Sequence, residues 1–268
     1  MKPGFQKAVV LVAAVASVLL TTSLGRWQLR RAEVKLARQA DMLEQGRLAP
    51  LNNASVPCDA HAWAQQQHRR VELRGHWLTK YSVMLDNRAM SGRAGFYVVT
   101  PLQLDAVGAC AARVVLVQRG WLPRNSLDRT RLPPFLTPDG LVTLQGRLID
   151  EPSRAFSLGV DLPASTASGP RIVQNIDSAG LARQLGQLIR PGAVLQMQPE
   201  VLDNTMAPGA NGSAEDSSHL PLLRDWPAPA SDVGKHHAYA AQWFAMAALI
   251  TGLYVWFQLI RPFRQRPR

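Results

Sequence analysis

The sequence predicts a membrane protein of mixed α and β structure, with two transmembrane helices flanking an antiparallel, strand-dominated soluble domain, either an open sheet or barrel-like. Three observations predict it. An uncharged apolar run lies near each end of the chain, the segments between them alternate apolar and polar residues, and two longer connections are rich in Pro, Gly, Ser and Ala.

The first run, Ala8 to Gly25, reads AVVLVAAVASVLLTTSLG between Lys7 and Arg26. The second, Ala238 to Ile260, reads AYAAQWFAMAALITGLYVWFQLI and is closed by Arg261. At the helical rise per residue these runs cover roughly 27 and 34 Å, against a hydrocarbon core of about 30 Å. A helix keeps its backbone hydrogen bonds internal, so an uncharged one can cross lipid. Trp27, Tyr239, Trp243, Tyr254 and Trp256 lie towards the ends of the runs, where aromatic rings favour the headgroup level. Lys2 and Lys7 ahead of an apolar stretch also describe a signal peptide, with Ser23 and Gly25 as small residues before a cut. The length of the run and the pattern that follows it favour a retained span. The few residues before Ala8 leave no room for an organellar presequence, which favours a bacterial inner membrane.

Basic residues flank the spans on both sides. Lys2, Lys7, Arg261, Arg264, Arg266 and Arg268 draw both ends towards the cytoplasm, while Arg26, Arg30, Arg31, Lys35 and Arg38 crowd the far end of the first span. Charge therefore leans towards an extracytoplasmic central domain without deciding it. The organisation expected is a span over 8–25, a periplasmic β-rich domain over 26–235, a span over 238–260 and a basic cytoplasmic tail over 261–268.

The formal net charge of +11, from 30 Lys and Arg against 19 Asp and Glu, is concentrated near the spans. Basic residues there meet anionic headgroups of the lipid bilayer. No stretch interleaves bases with aromatics in a nucleic-acid pattern, so no nucleic acid is expected as a partner. Cys58 and Cys110 lack the CxxC spacing of a metal or redox site and are too few for a metal cage. They read as one disulfide in an oxidising compartment or as two unpaired thiols.

Arg26 to Arg47 contains no proline and many good helix formers, so it extends the first helix out of the membrane. Asn52 to Gln67 reads as a loop or a short helix. Strands are expected at Val71–Trp77, Tyr81–Asn87, Gly95–Leu104, Val114–Trp121, Leu141–Ile149, Arg171–Ile176 and Val194–Val201. A helix is expected over Ser178–Leu188, with Ser178 as its cap. Val71-x-Leu73-x-Gly75-x-Trp77 and Val142-x-Leu144-x-Gly146-x-Leu148 share a frame that reads as two similar barrel corners. Glu151–Pro170 and Asp203–Leu220 read as surface insertions.

Catalytic signatures do not emerge. GxSxG, phosphate-loop, HExxH and GxGxxG patterns are absent, and Asp86, Asp105, Asp128, Asp139 and Asp150 fall at scattered turn-like positions. Two groups carry other chemistry. His236 and His237 stand at the mouth of the second span, and helical spacing gives His236, Tyr239, Ala240 and Trp243 one face. A neutral imidazole there can ligate haem iron, although histidine is also an ordinary residue at a membrane interface. The second group joins Asp86-Asn87-Arg88, a Gly92–Gly95 turn (GRAG), and Gln118-Arg119-Gly120-Trp121. Its arginines could grip carboxylates, such as haem propionates or acidic partner loops. Equally they form internal pairs, such as Arg88 or Arg119 with Asp86.

Several segments in order carry a family likeness: LGRWQLRRAEVK (Leu24–Lys35), RVELRGHW (Arg70–Trp77), VMLDNRAMSGRAGFYVVTPL (Val83–Leu102), VLVQRGWLPR (Val115–Arg124), LQGRL (Leu144–Leu148) and HHAYAAQWFAMA (His236–Ala247). With their spacing and the two flanking spans, they resemble the surfeit-locus-one family of cytochrome c oxidase assembly proteins over nearly the whole chain. The resemblance implies a non-enzymatic assembly factor in the inner membrane, multi-pass, with both termini cytoplasmic. It implies haem a as cofactor or cargo, and as partners the oxidase's haem-bearing subunit and haem a synthase. Its alternative is a cofactor-free membrane scaffold for an oxidase assembly intermediate. The family's H-x-x-Y pattern falls on His236 and Tyr239, which makes His236 the candidate axial ligand beside Tyr239 and Trp243. Trp27, Asn87, Arg88, Gly95, Arg119, Gly120 and Trp121 are implied to be structural or partner-contacting.

Overall fold

The computed structural model describes residues 3–106, 108, 110–125, 132, 134–156, 171–202, 220–226 and 233–264. The chain divides into two compact units, Met1–Asp41 with Ala228–Arg268, and Met42–Pro227. The greater part of each expected insertion, at 157–170 and 203–219, and the last four residues of the tail lie outside the described residues.

The first unit is a helix pair. Helix α1 covers Pro3–Arg47 and so continues beyond the apolar run, through the proline-free stretch Arg26–Arg47. A later helix, labelled α4 below, covers Val233–Tyr254, passes through a π-helical turn at Val255–Ile260 and ends in Arg261–Arg264. Both are long and apolar enough to cross a membrane. Their apolar side chains point outwards, with Leu19 66% and Leu249 60% exposed, the arrangement of helices whose solvent is lipid. The faces that pack are small: Thr21, Gly25 and Ala32 are buried on α1, and Ala240 and Ala247 on α4. Small residues let membrane helices approach closely. Gly25 shows this, since a Cβ there would come within 2.8 Å of the Phe244 ring. Hydroxyls on these helices are satisfied locally, Thr21 donating to the Ser17 carbonyl at 2.8 Å and Thr251 to that of Ala247 at 2.9 Å.

The second unit is built on a sheet. After a short helix α2 (Ala60–Gln65) come β1 (Arg70–Trp77), β2 (Val83–Met90), β3 (Arg93–Leu104), β4 (Val114–Pro123), β5 (Leu141–Ile149) and β6 (Arg171–Val173). Helix α3 (Ser178–Leu185), β7 (Ile189–Gln196) and β8 (Val201–Leu202) follow. β1 pairs with β5 on one edge and with the end of β3 on the other, so β1-β5-β7-β4-β3 closes into a five-stranded barrel. β2 and β6 extend from β3, and β8 pairs with β5. Most ladders are antiparallel; β2–β6 and β4–β7 are parallel.

The shared Val-x-Leu-x-Gly frame marks two corners. Gly75 faces Val142 of β5 and Leu104 of β3, while Gly146 faces Val71 of β1 and Gln196 of β7. At each glycine the strand is paired on both edges at once, the arrangement that a closed barrel requires. Alternate residues of the same strands, Val71, Leu73, Trp77, Val142, Leu144 and Leu148, join Leu102, Val115, Val117 and Val194 in the interior. β4 is buried on both faces because α3 and neighbouring segments cover its outer side, where Leu116 packs with Leu181 and Trp121.

Several boundaries differ from expectation for local reasons. The cap of α3 is Asp177, not Ser178: its carboxylate accepts the Gly180 N–H at 2.9 Å, and left-handed Gly186 ends the helix at Leu185. The β2–β3 turn lies at Ser91-Gly92, both at positive φ (50° and 77°), so Gly95 belongs to β3 rather than to the turn. β7 begins before Pro191-Gly192, the pair that hides its start in the sequence, and a register shift between Val114 and Leu116 absorbs the irregularity. Cys58 and Cys110 form a disulfide, Cα atoms 6.0 Å apart. Beside it the buried Arg190 donates to the carbonyls of Ala112 (3.0 Å) and Val56.

Candidate functional site

Two places carry the chemistry that the sequence singles out, one in each unit. The first is the start of α4. His236 is half-buried and His237 is exposed. Nδ1 of His236 lies 2.7 Å from Oε1 of Gln28 on α1. An amide oxygen only accepts, so this contact suits an imidazole that carries its hydrogen on Nδ1, the form in which Nε2 can meet a metal. Helical geometry decides which of the two histidines meets α1: His236, Ala240, Trp243 and Ala247 follow alternating steps of four and three along the packed face. Tyr239 leaves that face and is 51% exposed, so the four-residue face of the spacing argument is divided. Trp27 is likewise exposed on the outside of α1, its ring under the Arg31 guanidinium at 5.4 Å.

The second place is the Arg–Trp cluster of the barrel unit, which holds six of the seven residues of the family pattern, all but Trp27. β2 breaks register between Leu85 and Arg88, with Asn87 at φ 58°, which turns Arg88 inwards. The Arg88 guanidinium is held by backbone carbonyls: Asp86 at 2.6 Å, Ser153 at 2.6 Å and Gln174 at 2.8 Å. Its own carbonyl accepts the Trp121 indole N–H at 2.9 Å. That indole lies against Gly95, where a Cβ would overlap the ring and the Leu122 carbonyl. At Gly120 a Cβ would come within 2.7 Å of Leu222, whose segment bridges to β4 through Trp121 and Leu223.

Arg119 is 1% exposed. It pairs with Glu200 at 2.5 Å, donates to Thr137 Oγ1 at 2.6 Å and stacks on Trp77 at 4.5 Å. Glu200 also accepts from Gln196 at 2.7 Å and from Arg224 at 3.3 Å. Burial pushes the Glu200 carboxyl up, but the Arg119 charge and the hydrogen bonds from Gln196 and Arg119 outweigh it and leave the group below its ordinary value. Burial lowers Arg88 and Arg119 below the usual guanidinium range, opposed at Arg88 by Tyr97 and Asp86 and at Arg119 by Glu200.

The internal-pair reading of these arginines therefore holds in kind, with different partners. Glu200, not Asp86, pairs with Arg119; the Asp86 carboxylate pairs with Arg124; and the two terminal nitrogens of Arg88 donate to backbone carbonyls. Asp86 lies close in sequence, which suggests it, and its charge acts on Arg88, while its carboxylate bonds Arg124. Gln28 had a legible signal: it is the polar member of the Gly25–Gln28–Ala32 buried spacing on α1. Glu200 had none, being a lone carboxylate in a Gln-Pro-Glu turn. Among the described residues no group of three or more His, Cys, Asp or Glu is placed to hold a metal ion.

The model of the SURF1 family matches residues 15–248 of the chain. A cytochrome oxidase assembly protein of Saccharomyces cerevisiae, SHY1, is 29% identical over 126 residues, 46% of this chain and 31% of that protein. A SURF1-like protein of Dictyostelium discoideum is 26% identical over 121 residues, 43% of each chain. The matches thus span less than half the length of these curated relatives.

Proposed function

The chain belongs to the SURF1 family, and on that premise we propose that it assists assembly of a haem-copper cytochrome c oxidase, as a chaperone-like factor that handles haem a for the haem-bearing subunit. The observation that carries this reading is the placement of His236: a half-buried imidazole at the head of a helix long and apolar enough to span a membrane, with Nδ1 2.7 Å from Oε1 of Gln28 and Nε2 on the other side of the ring. That donor fits haem iron. Haem bound there would supply an iron centre that needs an axial imidazole and a flat ring that needs apolar contact. His236 offers the first and Trp243, on the same face, the second, with Tyr239 one turn from His236 at the exposed edge of that face.

The barrel arginines contribute otherwise. Arg88 and Arg119 are buried and already bonded, so they hold the domain in shape instead of gripping a propionate. Haem a synthase is the natural donor and the haem-bearing oxidase subunit the acceptor. The Cys58–Cys110 disulfide supports an oxidising, periplasmic position for the barrel, with both termini in the cytoplasm of a bacterial inner membrane.

The test is co-expression with the haem a synthesis enzymes, purification in mild detergent, and visible spectra beside His236→Ala and His237→Ala. A stoichiometric haem a spectrum lost only in His236→Ala is expected. Folded protein without pigment in every version would overturn haem handling and leave the cofactor-free scaffold.

A further inference from the structure

We propose that Gln28 is the positioning residue of His236, its side-chain carbonyl selecting the Nδ1–H tautomer so that Nε2 is presented to a metalloporphyrin; this rests on the haem-handling reading above. The contact joins residues 208 apart in sequence, so it exists only when α1 and α4 pack. Gln28 occupies the packed face of α1, one turn from buried Gly25 and one from buried Ala32. Those small neighbours bring the helices close enough for a hydrogen bond of 2.7 Å between two side chains.

The chemistry follows from which nitrogen holds the proton. A neutral imidazole has one N–H and one lone pair, and the partner of one nitrogen decides the character of the other. Unassisted histidine in water favours the proton on Nε2, the nitrogen that would have to ligate. An acceptor at Nδ1 reverses this, fixes the plane of the ring and raises the basicity of Nε2, as outer-shell acceptors do for metal-bound histidines. Gln28 Oε1 is such an acceptor. His237, exposed on the same turn, faces away from α1. The pair therefore also explains, from the helix packing alone, which of two adjacent histidines serves.

Two measurements separate this inference from the reading it rests on. The first uses haem-free, full-length protein in lipid nanodiscs with 15N-labelled histidine, and reads the His236 tautomer from its nitrogen chemical shifts. The Nδ1–H form is expected in the wild type and in Gln28→Glu, which keeps an acceptor, and a shift to mixed tautomers in Gln28→Leu. A wild-type His236 protonated on Nε2 would overturn the inference whatever the variants do. The second titrates haemin into the same proteins. Gln28→Leu is expected to bind about 10- to 100-fold more weakly, with Gln28→Glu restoring affinity and an imidazole-ligated spectrum. Equal affinity and spectrum in wild type and Gln28→Leu would overturn the positioning role. The expected tautomer with no haemin binding in any version would support the Gln28–His236 contact and overturn the haem reading.

Discussion

Arg119 and Glu200 form an ion pair whose side chains are 1% and 9% exposed, with the guanidinium flat against Trp77. Coulomb attraction alone rarely repays the desolvation of two such groups, and here further hydrogen bonds from Gln196 and Arg224 to Glu200, and from Arg119 to Thr137, add to it, while Nε of Arg119 stays buried without a partner among the described residues. The cluster ties β4 and β7 to the segments that follow β7 and precede β5.

Removing one partner leaves a buried, uncompensated charge. Glu200→Ala is expected to destabilise the full-length protein by about 3–5 kcal/mol, read as a lowered thermal midpoint in detergent. The pH dependence carries a definite sign. The folded carboxyl lies below its unfolded value of 4.5, so its contribution is complete above pH 4.5 and is lost as pH falls towards the folded value. Wild type should lose stability on that acid limb. Glu200→Gln should start lower and show a flatter limb; an unchanged slope would show that Glu200 does not titrate with unfolding.

Gly95 has no room for a methyl group. In Gly95→Ala the new Cβ meets the Leu122 carbonyl and the Trp121 ring at once, and the indole can move only by breaking its hydrogen bond to Arg88. A loss of about 1–3 kcal/mol is expected, with a changed near-ultraviolet signal from the tryptophan. Gly46→Ala, where a Cβ meets nothing and the backbone is helical, is the control and should be neutral or slightly stabilising.

The Cys58–Cys110 bond and the topology are tested together. An alkaline phosphatase fused at Gly209 should be active, and full-length protein from the same cells should run oxidised on a non-reducing gel. Reduction should then cost about 4 kcal/mol in the chain-entropy model, given the sequence separation of 52. An inactive but stable fusion with both thiols free would place the barrel in the cytoplasm.

The period-two segments of β1 and β5 were readable because each strand has one interior and one exterior face, and alternation records that difference. Closure was not readable. It depends on β1 pairing with both β5 and the end of β3, and a sequence pattern states which face is buried but not which edge is paired. The parallel β4–β7 ladder was hidden for the same reason, and Pro191-Gly192 disguised the start of β7 further.

By itself the sequence determined that two uncharged runs must be helices in lipid, because no other backbone arrangement satisfies its own hydrogen bonds there. It also determined that β1 and β5 are half-buried strands, and that two adjacent histidines, His236 and His237, open the second apolar helix. Only the tertiary structure decided how the charges are spent and which histidine is held. Arg119 meets Glu200 across 81 residues of sequence and His236 meets Gln28 across 208. Such pairs are chosen by helix packing and barrel closure, where burial makes an unmatched polar group costly, and no local pattern records them.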